Sequence, residues 1–395
     1  MTVISAPQRT SAEQAYGINL PHRRMEEWRW TDLRARIDRP YPAHQNVSAT
    51  KADIDRIMAS SPFAKINTHR IVFVNGSLDQ ARSNFMGLTF ELGVPTSSAI
   101  DDPLNHLNTA IEPSGLTLRF ESSIDVPVEI MHIATKGAAR SMALRNCIEV
   151  ADGASATIIE TYLGEGDYVL SAVTEFEIGI GARLDRVKVE HESTSATHLS
   201  HVITSLAKDA KLNEFTLTSG ATLNRQNGTY TFTGENADAK IAGAYMLNNK
   251  QHADSRLVID HAVPRCTSRE TFKCVMDDHA RGIFQGKVMV RKHAQKTDGK
   301  QSCNALLLSE FAEFDAKPEL EIYADDVVCG HGATAGDINM DHLFYLRSRG
   351  IPEAEAKSLL IAAFVGEAFD NIVHEGLREA MVDYAANWLE VRKSV

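Results

Sequence analysis

Between Leu116 and about residue 338 the chain alternates short β-branched and aromatic runs with Gly, Asp and Asn, and hardly a helical period interrupts it. A weak repeat runs through this region. Gly153-Ala154, Gly181-Ala182, Asp209-Ala210 and Asp238-Ala239 recur at intervals of 28, 28 and 29 residues. Apolar positions follow each of them: Ala156 and Ile158; Leu184, Val187 and Val189; Leu212, Phe215 and Leu217; Ile241 and Ala244. A tight turn and a strand repeated at a period in the high twenties describe one coil of a β-solenoid, with inward side chains stacked on those of the next coil. An antiparallel sandwich of evenly spaced hairpins is the competing arrangement, with Asn227-Gly228 and Asp152-Gly153 as its turn candidates.

The flanks differ. Thr50 and Asp53 form a capping-box pattern that opens a helix through Ile54 and Ile57. Asp102 before Pro103 predicts a helix carrying Leu104, Leu107 and Ile111. Between them Arg70–Gly76 predicts a strand ending in a turn. After Asp337 the period becomes helical. A short helix over Asp341–Arg349 ends at Gly350, and a second has Pro352 in its first turn and a buried row of Leu360, Phe364, Ala368 and Ile372. A third places Leu377, Met381, Tyr384, Trp388 and Val391 along one seam.

Composition narrows the function. A formal charge of −11 argues against nucleic-acid binding. No run of 18 apolar residues exists, so no membrane span is expected. Met1–Thr10 lacks an apolar stretch followed by a cleavage site, so no secretory signal is expected either. Five scattered cysteines (Cys147, Cys266, Cys274, Cys303, Cys329) fit reduced thiols in a cytoplasm.

The most chemical segment is Cys329-Gly330-His331-Gly332-Ala333-Thr334. The glycines remove bulk on both sides of His331, which predicts a Gly-rich turn from which the imidazole projects. On an extended segment Cys329 and His331 face one side, offering a soft and a borderline ligand suited to iron or zinc. Two ligands do not close a metal site, so the rest must come from elsewhere in the chain or from a partner. Other patterns fail. Cys266, Cys274 and Cys303 lack zinc spacing and are expected to be structural. His191-Glu192 with His198 is not a zinc-protease helix, and His198 and His201 face opposite sides of a strand. No P-loop occurs, so this chain binds no ATP by that device, and no nucleophile elbow is present. The carboxylates Asp325-Asp326, Asp277-Asp278 and Glu310 with Glu313 are candidates for acid–base pairs, although neighbouring Asp residues are more often turn or surface charge.

The segment around Cys329 and His331, followed by Leu343-Phe344-Tyr345-Leu346-Arg347-Ser348-Arg349-Gly350, closely resembles the C-terminal signature of the SufB/SufD family, scaffold components of iron–sulfur cluster assembly. Phe284-Gln285-Gly286-Lys287, Ala294–Asp298 and Leu306–Ser309 keep the family's order and spacing. Glu26-Glu27-Trp28-Arg29-Trp30-Thr31-Asp32-Leu33 resembles the entry motif of the SufD branch. The likeness is dense from Val258 to Phe364 and thin between Thr50 and Val258.

The resemblance implies a mainly β fold: a right-handed parallel β-helix over residues 113–337, an α-rich N-terminal domain over 1–112 and a helical domain over 338–395. It implies a scaffold rather than a stand-alone enzyme, pairing with a SufB-like paralogue and a SufC-like ABC-type ATPase. Without its partner the chain is expected to form a homodimer through the same surface, since a solenoid's exposed β-edge favours pairing. His331, and more weakly Cys329, become residues of a transient iron–sulfur cluster shared with the partner. Leu343, Phe344, Tyr345, Leu346, Arg347, Arg349 and Gly350 become the ATPase-docking segment. Leu343, Phe344 and Leu346 are expected to face inward, Tyr345, Arg347 and Arg349 outward, and the helix to cap the open end of the solenoid. Family complexes are linked to reduced flavin and iron acquisition, though no flavin fingerprint is visible here. A carbohydrate-active β-helix enzyme using the paired carboxylates is the alternative, and the three tryptophans, all outside the predicted β-helix, weigh against its sugar groove.

Overall fold

A computed structural model describes residues 9–43, 49–85, 87–95 and 100–393. Residues 1–8, on which most of the secretory-signal expectation rests, and the side chain of Val391 lie outside the described residues. The architecture is a parallel β-solenoid of about eight coils with helices at both ends of the chain. Each coil gives one strand to a ten-stranded sheet and one to a nine-stranded sheet. The pairs between coils are parallel, so the sandwich arrangement is excluded. Both sheets begin ahead of residue 113. His69–Val74 pairs in parallel with Val128–Ala134, and Thr89–Leu92 pairs antiparallel with Ser114–Phe120.

The repeat has a backbone cause. Gly153, Gly181, Asp209, Asn236, Arg265 and Lys296 all have φ between 60° and 71°, and each stands two residues before a strand of the ten-stranded sheet. The fourth repeat is therefore Asn236-Ala237 rather than Asp238-Ala239, because the left-handed residue defines the corner and Asp238 is already the first strand residue. Arg265 and Lys296 hold the same conformation without glycine, which hid the later coils from a search for Gly and Asp.

Inward and outward positions also differ from expectation. Leu184, Leu212 and Ile241 line the lumen, but Val187, Val189, Phe215, Leu217 and Ala244 stand at odd offsets from them and so point outward. There they are covered by the C-terminal helices, whose buried faces carry Ala356, Ile361, Val365, Phe369, Leu377 and Met381. These helices are Met340–Ser348, Glu353–Phe369 and Glu375–Lys393, and Pro352 is the N-cap of the second rather than a residue of its first turn. They lie on the flank of the ten-stranded sheet and not over the end of the solenoid. Tyr384 fastens the last helix, its hydroxyl 2.6 Å from both Ser219 Oγ and His191 Nδ1.

The lumen positions adjoining Leu184 and Leu212 are charged. Arg186 lies between Glu160 and Glu214, and Lys188 bonds Glu190. His198 sits between Glu192, at 2.6 Å, and Glu190, at 3.1 Å. All seven groups are buried. Burial works against a charge on His198, but the carboxylates of Glu192 and Glu190 outweigh it and raise the imidazole to about 9. A folded-state value above the ordinary 6.5 adds stability that is complete below pH 6.5 and is lost as pH rises through about 9. Denaturant unfolding from pH 6.5 to 9.5 should show wild type losing on the order of 2 kcal/mol through this group. His198→Gln should be weaker at pH 6.5 and flatter across the window; a variant curve parallel to wild type would refute the assignment.

On the other face, the N-terminal segment crosses the nine-stranded sheet. The ring of Trp28 stacks under Arg225, whose guanidinium carbon is 4.3 Å from its centroid. Arg225 pairs with Asp254, and both are fully buried. Thr31 also donates to Asp254, while Arg225 and Gln285 donate to the Glu27 carbonyl at 3.1 and 3.3 Å. Glu26 reaches the last strand of the sheet through Lys317, at 2.7 Å. The helix Lys51–Ala59 buries Ile54 and Ile57, and Pro103–Ala110 starts at its Asp102 cap, both as the capping patterns predict.

Candidate functional site

Cys329 and His331 lie on Val328–Gly336, a strand and not the turn that its glycines suggested. Neither Gly330 nor Gly332 has a positive φ, and a Cβ at either would touch nothing. Their effect is to leave the face opposite Cys329 and His331 bare. The two candidate ligands share a face, roughly 7 Å apart at their Cα atoms from the strand rise.

This strand ends the ten-stranded sheet, and Glu313–Ile322 ends the nine-stranded one. Both terminal strands therefore keep an unpaired backbone edge. Around them Phe311, Tyr323 and Val328 are exposed, the last two at 62%. A solenoid end with bare edges and apolar side chains is a surface suited to another chain.

Cys329 is half-buried, its Sγ 3.6 Å from where a Cβ on Gly299 would stand. Burial pushes its thiol up, with Asp298 and Glu270 adding and the Gly299 amide opposing. His331 is exposed and pairs in register with Gln301. Among the described residues no group of three or more His, Cys, Asp or Glu is placed to hold a metal ion. An incomplete pair at an open end can hold a metal ion loosely, with solvent in the open positions, and needs ligands from a second chain to hold a cluster.

The remaining candidates are not brought to this site. Cys266, Cys274 and Cys303 are buried in the lumen core, and Cys303 pairs with Ala333, four residues beyond Cys329. The carboxylate pairs are surface charge: Asp326 bonds Lys296 at 2.8 Å, and Glu313 bonds Arg281 at 3.3 Å. Asp277 and Asp278 form part of a turn. His198 faces the lumen while His201 faces outward to Asn105, as their spacing predicts.

In the segment Leu343–Gly350, Leu343 is buried and Leu346 half-buried against the sheet-facing core. Phe344, expected to face inward, is 74% exposed because it stands one residue, about 100° of helix, from Leu343. Tyr345 is exposed beside Arg349, whose guanidinium stacks on its ring, and Arg347 pairs with Glu353 at 3.2 Å. Gly350 adopts φ 87° and closes the helix onto the Arg347 carbonyl. Met340, Phe344 and Tyr345 thus form an exposed apolar stripe on the flank. Sequence reasoning missed the buried polar residues directly beneath Cys329 and His331, namely Gln301, Glu270 and Ser268, because strand alternation predicts apolar residues there.

The chain is similar to proteins of iron–sulfur cluster assembly. The family model described as "SUF system FeS cluster assembly, SufBD core domain" matches residues 132–364. The chain is 31% identical over 385 residues to the iron-sulfur cluster assembly protein SufD of Escherichia coli, covering 94% of this chain and 89% of that one. It is 28% identical over 397 residues to an iron-sulfur cluster assembly SufBD family protein of Synechocystis, covering 92% and 86%. A SufBD family protein of Mycobacterium tuberculosis is 30% identical over 313 residues, 77% of each chain.

Proposed function

Because the chain belongs to the SufB/SufD family of iron–sulfur cluster assembly proteins, within its SufD branch, we propose that it is the subunit that pairs its open solenoid end with a SufB-like paralogue. The observation that carries this reading is the end strand: an unpaired edge that presents Cys329 and His331 on one face, with apolar side chains around it. The paralogue supplies the ligands this chain lacks, and the nascent cluster forms between the two. Such a shared, incomplete ligand set holds a cluster that is readily passed on. The stripe of Met340, Phe344 and Tyr345, with Arg347 and Arg349 beside it, is the docking face for a SufC-like ATPase. Movement of that ATPase would pull on helices fastened to the coil wall through Tyr384, which supports coupling of ATP turnover to the solenoid. Iron acquisition and reduced flavin belong, on this reading, to the assembled complex and not to this chain alone.

Anaerobic co-expression with the cognate SufB-like and SufC-like subunits tests it. Wild type and His331→Ala should both form the complex, while the variant loses most of its bound iron and sulfide. If neither version captures a partner, the scaffold role is wrong; if the variant keeps its iron and sulfide, His331 is not part of the site.

A further inference from the structure

Directly beneath the end strand, the solenoid interior is polar and poorly partnered. In register, His331 lies against Gln301 and Gln301 against Glu270; one row away, Cys329 lies against Gly299 and Gly299 against Ser268. The next residue below Glu270 is Ile241, where the column turns apolar. Glu270, Gln301 and Ser268 are all buried. Both carboxyl oxygens of Glu270 and both amide atoms of Gln301 lack a hydrogen bond of ordinary geometry. Gly299 leaves a methyl-sized gap between the two rows: a Cβ there would stand 3.5 Å from Ser268 Oγ and 3.6 Å from Cys329 Sγ, in ordinary contact with both.

Among the described residues no cation pairs with the Glu270 carboxyl. The guanidinium of Arg269, on the same strand, is committed to Asp298. His261, across the turn, bonds Ser268 Oγ at 3.1 Å and is held neutral by burial, lowered to about 4. Tyr230 faces it from the neighbouring sheet, and Cys329 from the end strand, neither with a positive charge. Burial therefore pushes Glu270 up to about 8, against the opposing pull of Ser268, Gln301 and Arg269. Native proteins rarely retain so costly a group in a core without use for it.

We propose that Gln301 and Glu270 are positioning residues for the Cys329–His331 pair: Gln301 supports the imidazole from below, and Glu270 ionises when a divalent cation is held at the coil end. The proton leaves to solvent through that open end, and the carboxylate, roughly 10 Å below at its Cα, balances the added charge. This inference rests on the metal-holding role given above to Cys329 and His331.

The test uses the purified full-length chain under anaerobic conditions, titrated to millimolar Co²⁺, with cobalt–thiolate absorption reporting Cys329. Calorimetry in buffers of different ionisation heat counts the protons released near pH 7. Glu270→Gln should release about one proton fewer per cation than wild type, and its affinity should rise about tenfold less per pH unit between pH 6 and 8. Glu270→Asp should restore the count, and Gln301→Ala should weaken binding about tenfold with the count unchanged. A folded Glu270→Gln with intact thiolate bands and the wild-type proton count overturns the proposal. Wild type that takes up no Co²⁺, or takes it up as His331→Ala does, removes the metal-holding role itself and this inference with it.

Discussion

Arg186→Met should cost the fold about 3–5 kcal/mol, the loss seen when one partner of a buried ion pair is removed. Arg186 is fully buried and pairs with Glu160 from the coil before it and with Glu214 from the coil after it. Without it, two carboxylates remain in the lumen near the phenols of Tyr162 and Tyr230, which donate hydrogen bonds but no charge. Neither can reach water without opening the coil. Chemical denaturation at pH 7 measures the effect, and a loss below about 1 kcal/mol would show that water enters the lumen there. The triple variant Arg186→Met, Glu160→Gln, Glu214→Gln should recover most of the loss, because the cost lies in the unpaired charge and not in the missing side-chain volume.

A comparable loss, again about 3–5 kcal/mol, is expected for Asp254→Leu, with a different signature. Asp254 holds Arg225 and receives the Thr31 hydroxyl, while Arg225 supports the Trp28 ring and the Glu27 carbonyl. Removing the carboxylate leaves a buried guanidinium and unties the N-terminal crossing at its centre. Trp28 is 2% exposed in the native fold. The variant should therefore show a red-shifted, more quenchable tryptophan emission and new protease cuts near residues 22–32, with the sheets still formed. Rapid cutting in that segment of the wild type would contradict the clamp. The crossing also bears on the end coil, since the Glu26–Lys317 pair ties it to the last strand of the nine-stranded sheet.

Much of this architecture was legible in the residues. The corners showed as Gly-Ala and Asp-Ala pairs because a left-handed residue must stand at each coil, and Gly and Asp tolerate that conformation best. The caps at Thr50 and Asp102 were local hydrogen-bond devices and were legible for that reason. The Cys329–His331 pair and its common face followed from spacing alone. What misled was local too. Gly330 and Gly332 suggested a turn, yet strand pairing to the coil below decides the backbone. Phe344 looked like core, yet it stands about 100° of helix from the buried Leu343 and is exposed.

The sequence by itself determined the coil period, the helical ends and the pairing of a thiol with an imidazole, since each depends on residues near one another in the chain. Only the tertiary structure decided which apolar residues turn outward beneath helices, that the lumen holds Arg186, Lys188 and His198 among carboxylates, and that Glu270 lies under His331. Those facts depend on which side chains meet about 30 residues apart in sequence. A charge inside a solenoid can be recognised only when the groups around it, from its own coil and from its neighbours, are seen together.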